Sequence, residues 1–262
     1  MKLRIKFRKY GPVRFIGHLD VMRFFQKAIR RAEIDVKYTR GFSPHQAMTF
    51  AAPLGVGIES NGEYMDIEVN SATSSQDIMN RLNRASVSGI EIVSVKVLPD
   101  DAGNAMASVA AAAYTVRFRG EADALRSADI EQALQTFLAR REILIVKETK
   151  KGVREVNLRP GIYELSYENG CFHMLIDASS AGNIKPVQVI AALLNNAAVQ
   201  HNEAVQHNEA VQHNEASHYN EASQHNELDA VQHIIRVTRE DVYTAIGPKL
   251  VSLDEIGELL TN

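Results

Sequence analysis

Two short clusters carry the residue types that could do chemistry. The first is Phe15-Ile16-Gly17-His18-Leu19-Asp20, and the second is Arg40-Gly41-Phe42-Ser43-Pro44-His45. Imidazole titrates near neutral pH, so His18 and His45 are the candidates for general acid or base, or for a phosphate contact. With Asp20, Arg40 and Ser43 they would form an acid–base pocket if the fold brings them together. Plainer readings stand beside these. Asp20 falls in the first turn of an expected helix, where a negative charge suits the dipole. Gly41 and Pro44 are loop residues, one conformationally free and one fixed in φ. No cleavage or transfer motif joins the clusters.

The second resource is positive charge. The chain has 262 residues and a formal net charge of -3. Residues 1–50 nevertheless hold twelve Lys/Arg against three Asp/Glu, a local excess of +9 that leaves the remainder at −12. Such a split points to an anionic partner or to internal charge complementarity. Arg4 and Lys6 lie on one face of an alternating strand, and Arg23, Lys27, Arg30 and Arg31 share one helix face. Clustered cations of this kind are what a phosphate backbone rewards. Tyr10, Phe15, Tyr38 and Phe42, in the same segment, could stack on bases. A purely structural reading pairs Arg4 and Lys6 with Asp66 and Glu68 of a neighbouring strand.

The elements that must position these residues follow from periodicity. Leu3, Ile5 and Phe7 alternate with cations, which predicts a half-buried strand over 2–8. Leu19, Met22, Phe25 and Ile29 predict a helix over 17–32. A strand interrupted by a loop is expected in 36–60, another strand at 64–69, a helix capped by Ser74 or Ser75 to about Ala85, and a strand at 90–98. The order β-α-β-β-α-β is the ferredoxin-like pattern. It recurs in strands at 114–119, 142–148, 163–167, 171–177 and 234–238, with helices at 127–141 and 185–194. The expected architecture is α+β: two tandem ferredoxin-like domains, 1–98 and 114–262, joined by a linker at 99–113. A single mixed sheet is the alternative.

Residues 198–227 fit neither half. AVQHNE occurs three times, followed by ASHYNE and ASQHNE. Six residues advance a helix by about 600°, so no continuous apolar stripe results. This His/Asn/Glu-rich insertion is expected to be exposed, either helical or disordered, within the second domain. Its His spacing is not the i, i+4 pattern of a helical metal site, so no metal is expected. The single cysteine, Cys171, excludes an internal disulfide and a cysteine-ligated cluster, and no cofactor is expected. No apolar run is long enough to span a membrane, and the N-terminus lacks a signal-peptide core, so the expected location is the cytoplasm, with no membrane partner.

The two clusters, together with Pro53-Leu54-Gly55-Val56-Gly57-Ile58-Glu59-Ser60 and Glu63-Tyr64-Met65-Asp66-Ile67-Glu68, resemble a bacterial radical SAM-associated domain of unknown function. The resemblance extends through Asn157-Leu158-Arg159-Pro160 and Arg236-Val237-Thr238-Arg239. It implies a separate radical SAM protein as partner, because this chain has no three-cysteine motif of its own. The family's setting near genes for ribonuclease G and ribosomal proteins implies an RNA substrate. The expected role is a non-catalytic RNA-recognition or adaptor module, with Arg4, Lys6, Arg23, Lys27, Arg30, Arg31, Arg40, Ser43 and His45 on the RNA. The alternatives are an RNA-processing or RNA-modifying enzyme using His18 and His45, and a protein–protein scaffold.

Overall fold

The computed structural model describes residues 1–119, 127–149, 152–206 and 221–261. In chain order the elements are β1 (Lys2–Lys9), α1 (His18–Arg31), β2 (Met48–Phe50), β3 (Glu59–Glu68), α2 (Ser75–Ala85), β4 (Ile90–Val97), α3 (Ala105–Ser108) and β5 (Val109–Phe118). There follow α4 (Ser127–Ala139), β6 (Leu144–Thr149), β7 (Gly152–Asn157), β8 (Ile162–Glu168), β9 (Cys171–Asp177), α5 (Pro186–Gln206), α6 (Glu221–Ile234), β10 (Ile235–Ile246) and β11 (Lys249–Ser252). The chain is α+β and divides into two compact units. One comprises Met1–Tyr114, Ala178–Ala181 and Thr238–Asn262; the other comprises Thr115–Asp177 and Gly182–Val237.

The first unit is built on a large mixed sheet. β1 runs antiparallel to β3 on one side and to β4 on the other. β2 pairs antiparallel with β3 at residues 65–67, and β10 pairs parallel with β3 through Thr238↔Glu59 and Arg239↔Ser60. β11 returns along β10. The alternation of β1 decides which face is core: Leu3, Ile5 and Phe7 are buried and cluster with Val21, Phe25 and Ile29 of α1 and Ile78 and Leu82 of α2. Each such side chain contributes roughly 1.5–3 kcal/mol by leaving water. Phe7 meets Phe25 edge-on at 4.7 Å and Phe50 at 6.2 Å.

Capping sets the helix limits. The Ser74 hydroxyl accepts the Asp77 N–H at 3.3 Å and starts α2. α1 ends in a Schellman arrangement. The Ile34 N–H reaches the Ile29 carbonyl and the Glu33 N–H reaches that of Arg30, while Glu33 itself takes a left-handed φ of 52°.

The opposite face of β1 is where charge enters the sheet. Arg4 lies across from Asp66, and its Nε and Nη2 each donate to one carboxylate oxygen at 2.9 Å. Their side chains are only 4% and 6% exposed.

In the second unit β8 and β9 are antiparallel neighbours. Asn169 and Gly170 both have positive φ, the geometry of a two-residue hairpin turn between β8 and β9. β6 and β7 form a separate two-stranded hairpin.

Several sequence expectations change here. Strand 142–148 takes its partner from β7, a strand that was not expected, because the chain reverses at Gly152 with φ of 113°. Lys150 and Lys151, the rest of that basic turn, lie outside the described residues. The linker at 99–113 contains α3 and the start of β5. The last strand runs on to Ile246, and residues from Thr238 onward join the first unit through their pairing with β3 and β11. Helical backbone enters both ends of the hexapeptide repeat, since α5 runs to Gln206 and α6 starts at Glu221. The centre of the repeat, 207–220, lies outside the described residues. No described helix is long and apolar enough to cross a membrane.

Removing one partner of a buried ion pair strands the other. Asp66→Ala is expected to lower the unfolding free energy by about 3–5 kcal/mol, and Arg4→Met combined with Asp66→Leu should recover most of that loss. Urea unfolding followed by circular dichroism measures both; a loss below about 1 kcal/mol for Asp66→Ala would show that the pair is not structural.

Candidate nucleic-acid interface

The cations of residues 1–50 separate into an interior set and a surface set. On β1, Arg4 is committed to Asp66. Lys6 Nζ lies 3.5 Å from Asp241 and 3.7 Å from Asp254, with the Tyr64 ring 5.5 Å away. Arg8 pairs with Glu91 at 3.2 Å. Arg4 and Lys6 therefore leave the expected RNA-contacting set. Arg4 is buried with its carboxylate satisfied, and Lys6 is held between two acids.

A polar network underlies Lys6. The Tyr64 hydroxyl donates to Asp241 Oδ1, and the Ser252 hydroxyl donates to Asp241 Oδ2 at 2.7 Å. Burial, reinforced by the Asp241 carboxylate, pushes the Tyr64 hydroxyl pKa up and keeps it a donor.

The outer face of α1 is different. Leu19, Arg23, Lys27 and Arg30 succeed one another at i, i+4, i+8 and i+11, which places them on one face. All four are exposed. Arg23 meets Asp20 at 3.3 Å, a solvent-exposed pair of little energetic weight. Lys27 and Arg30 have no acidic partner within ion-pairing reach among the described residues. Arg31 is turned away from this set: its Nη2 donates to the Ala85 carbonyl at 2.8 Å.

The helix that displays these cations is fixed at both ends. At its start, Lys9 continues the inward parity of Leu3, Ile5 and Phe7 and is buried. Its Nζ donates to the carbonyls of Ile16 at 2.9 Å and Arg14 at 3.4 Å, which holds the turn leading into α1. Desolvation lowers the Lys9 pKa, and Arg239 adds to the effect while Glu63 opposes it. Glu63 in turn binds Arg239 at 2.9 Å, with both side chains 7% exposed. Arg239 Nη1 also donates to the Ala52 carbonyl at 2.8 Å. At the other end, Arg81 donates to the carbonyls of Ala32, at 2.8 Å, and Glu33.

The 40–45 loop sits on a small hairpin-like frame. Thr39 N–H bonds to the His45 carbonyl at 2.8 Å, the Thr39 hydroxyl accepts the His45 N–H, and it lies 3.1 Å from His45 Nδ1. Buried Gln46 donates from Nε2 to the Gln26 carbonyl and ties the loop to α1. Arg40, Phe42, Ser43 and His45 are all exposed. His18 instead packs edge-on against Phe50 at 5.1 Å. No hydrogen bond or ion pair joins His18 to Asp20 or His45, and His45 is occupied with its own loop. Among the described residues no group of three or more His, Cys, Asp or Glu could hold a metal ion.

The same segment of chain exposes aromatic rings: Phe15, 58% exposed with the Arg14 guanidinium 4.6 Å above it, Tyr38, and Phe42. The arrangement is electrostatic and adhesive. It offers cations and π-faces to a partner.

Sequence reasoning missed Lys9, Glu63 and Arg239 as buried charges. The signal was present, because Lys9 and Glu63 share the strand parity of core residues. A charge on a core face demands a partner.

Residues 2–186 match a family described as an uncharacterized protein conserved in bacteria (DUF2344), and the chain belongs to that family. No curated protein matches it.

The interior and surface cations should respond differently to mutation. Lys27→Ala with Arg30→Ala is expected to change unfolding free energy by less than about 0.5 kcal/mol. Lys9→Met leaves two carbonyls without their donor and should cost about 1–3 kcal/mol at neutral pH. The Lys9 pKa is lower folded than unfolded, so the unfolded state holds the extra proton between the two values. Wild-type stability should therefore rise relative to Lys9→Met as pH climbs from the lowered value to 10.5, and the difference should be flat below that window. Urea titrations across this range check the sign; a difference that falls with rising pH would contradict it.

Proposed function

We propose that this member of the DUF2344 family is a non-catalytic recognition module whose first unit binds RNA. The observation that carries the reading is the α1 face: Lys27 and Arg30 are exposed with no acidic partner among the described residues, while Arg4, Lys6 and Arg8 of β1 each meet an acid. Unpaired cations on a rigid helix can displace counterions from a phosphate backbone. Arg23 joins them after a small rearrangement, because its bond to Asp20 is exposed. Arg40, Ser43 and His45 on the neighbouring loop would extend the contact, and Phe15, Tyr38 and Phe42 would stack on unpaired bases.

The ferredoxin-like reading belongs to the same proposal. It is supported in the first unit by the run β1-α1-β2-β3-α2-β4, with β1 between β3 and β4 and with β2 antiparallel on β3. The resemblance in sequence suggests that the module serves a separate radical SAM protein. Any cysteine-ligated cluster would have to come from that partner, since Cys171 is the single cysteine here and is buried.

A scaffold role is the second reading, and it too rests on an observation. Leu19 is 61% exposed on the basic face, and Phe42 is fully exposed. Both would suit an acidic protein surface with an apolar centre.

Charge reversal separates the readings. In Arg23→Glu/Lys27→Glu/Arg30→Glu, affinity for a single-stranded RNA should collapse, and the slope of log affinity against log salt should flatten by about 2. Fluorescence anisotropy across a salt series measures both. Unchanged affinity and slope would overturn RNA recognition. Retention of a radical SAM protein after ribonuclease treatment, with no RNA bound, would establish the scaffold instead.

A further inference from the structure

Strand parity gathers polar side chains on the outer face of the first unit's sheet. β2 sets Thr49 across from Asp66 of β3, and β1 sets Lys2 across from Glu68, so all four lie opposite the core residues Met65 and Ile67. Together they floor a cavity of about 320 Å³, within the range of small-molecule sites. Thr39 and His45 of the 39–45 loop form one wall, and Asn104 and Ala105 form the other. Lys2 Nζ fastens that second wall by donating to the Ala102 carbonyl at 2.9 Å, and Ala105 is buried. Charge on the floor is nearly balanced. Both Asp66 oxygens accept from Arg4, and Glu68 lies 3.7 Å from Lys37. Three lining side chains keep hydrogen-bonding capacity. The Thr49 hydroxyl has no partner among the described residues. His45 engages Thr39 through Nδ1, which leaves Nε2. Asn104 Oδ1 accepts the Met106 N–H at 2.9 Å, which leaves Nδ2 to donate.

Building on RNA binding by this unit, we infer that the cavity takes one unpaired nucleotide of the RNA and prefers a base with an exocyclic amino group, cytosine or adenine, to uracil. Mixed donors and acceptors over a balanced floor suit a base better than a free anion. The exposed His45 ring offers a face on which the base stacks. Lys2, which lines the cavity, and Lys37, which adjoins Glu68, bring positive charge to the attached phosphate. Glu68 decides the base. A carboxylate only accepts, so it pairs with an amino group and opposes the carbonyl oxygens of uracil. Asn104 Nδ2 and the Thr49 hydroxyl can serve the ring-nitrogen acceptor beside that amino group. Gln46, next to His45, ties the loop wall to α1 through the Gln26 carbonyl, which lets one strand of RNA span the basic helix and the pocket.

The test uses the full chain and short RNA homopolymers of equal length, followed by fluorescence anisotropy. Oligo(C) and oligo(A) should each bind about tenfold more tightly than oligo(U). Glu68→Gln keeps the shape of a side chain that is half exposed, and it should shrink the preference below about threefold. In a separate titration of the ¹⁵N-labelled protein, cytidine monophosphate should move the backbone amide resonances of Thr39, His45 and Thr49 saturably. Asn104→Asp keeps the acceptor that caps α3 but loses the donor, and it should weaken this binding by about fivefold or more. Equal affinities for the three homopolymers, or a preference that survives Glu68→Gln, would overturn the nucleotide pocket and leave RNA binding by α1 standing. If no homopolymer binds and cytidine monophosphate still saturates those resonances, the nucleotide site holds and RNA recognition fails. Silence in both measurements would overturn both.

Discussion

Strand β1 can occupy the middle of its sheet only if Arg4, buried on its outer face, is neutralised inside the protein. Three of its residues, Leu3, Ile5 and Phe7, drive the burial, and the same geometry drags Arg4 inside with them. Asp66 answers Arg4 from the neighbouring strand with a two-pronged bond at 2.9 Å. The acids around Lys6 come from residue 241 and beyond. The excess of acid in the rest of the chain is thus partly spent on the excess of base in the first fifty residues. A buried pair of this kind is a poor source of net stability, but it is intolerant of losing one member.

That neutralisation decides what is left for the surface. Cations of β1 are consumed by structure, whereas α1 carries its charge outward on a helix anchored at both ends. Lys9 holds the turn before it, the Schellman closure and Arg81 hold its end, and Gln46 ties the adjacent loop to its flank. A helix so restrained loses little conformational freedom when a partner docks. Lys27 and Arg30 are thus exposed, with no acidic partner among the described residues, on a helix that the fold already holds in place.

Much of this was legible in the residues. The alternation of 2–8 and the helical stripe of 19–29 set the first unit's core, and placing 64–69 beside the first strand offered the Arg4–Asp66 pair as one reading, although Lys6 and Glu68 find other partners, Asp241 and Lys37. Leu19 was the exception, because an apolar residue at the start of a helical stripe can lie on the outer face when the helix turns its Val21, Phe25 and Ile29 inward. Other features depend on contacts far apart in sequence. Nothing local in Arg239 announces that it closes on Glu63, 176 residues away. β7 was hidden because Gly152-Val153-Arg154-Glu155 has neither clean alternation nor an apolar face, and a hairpin with both faces largely exposed needs none.

The proposed RNA recognition requires that α1, not β1, present positive charge to the partner. Amine labelling of the intact protein read by mass spectrometry, with and without saturating poly(U), addresses it directly. Lys27 should label rapidly in the free protein and be shielded by poly(U), while Lys9 stays unreactive in both. Labelling of Lys27 that is indifferent to poly(U), or rapid labelling of Lys9, would contradict this division of charge between helix and strand.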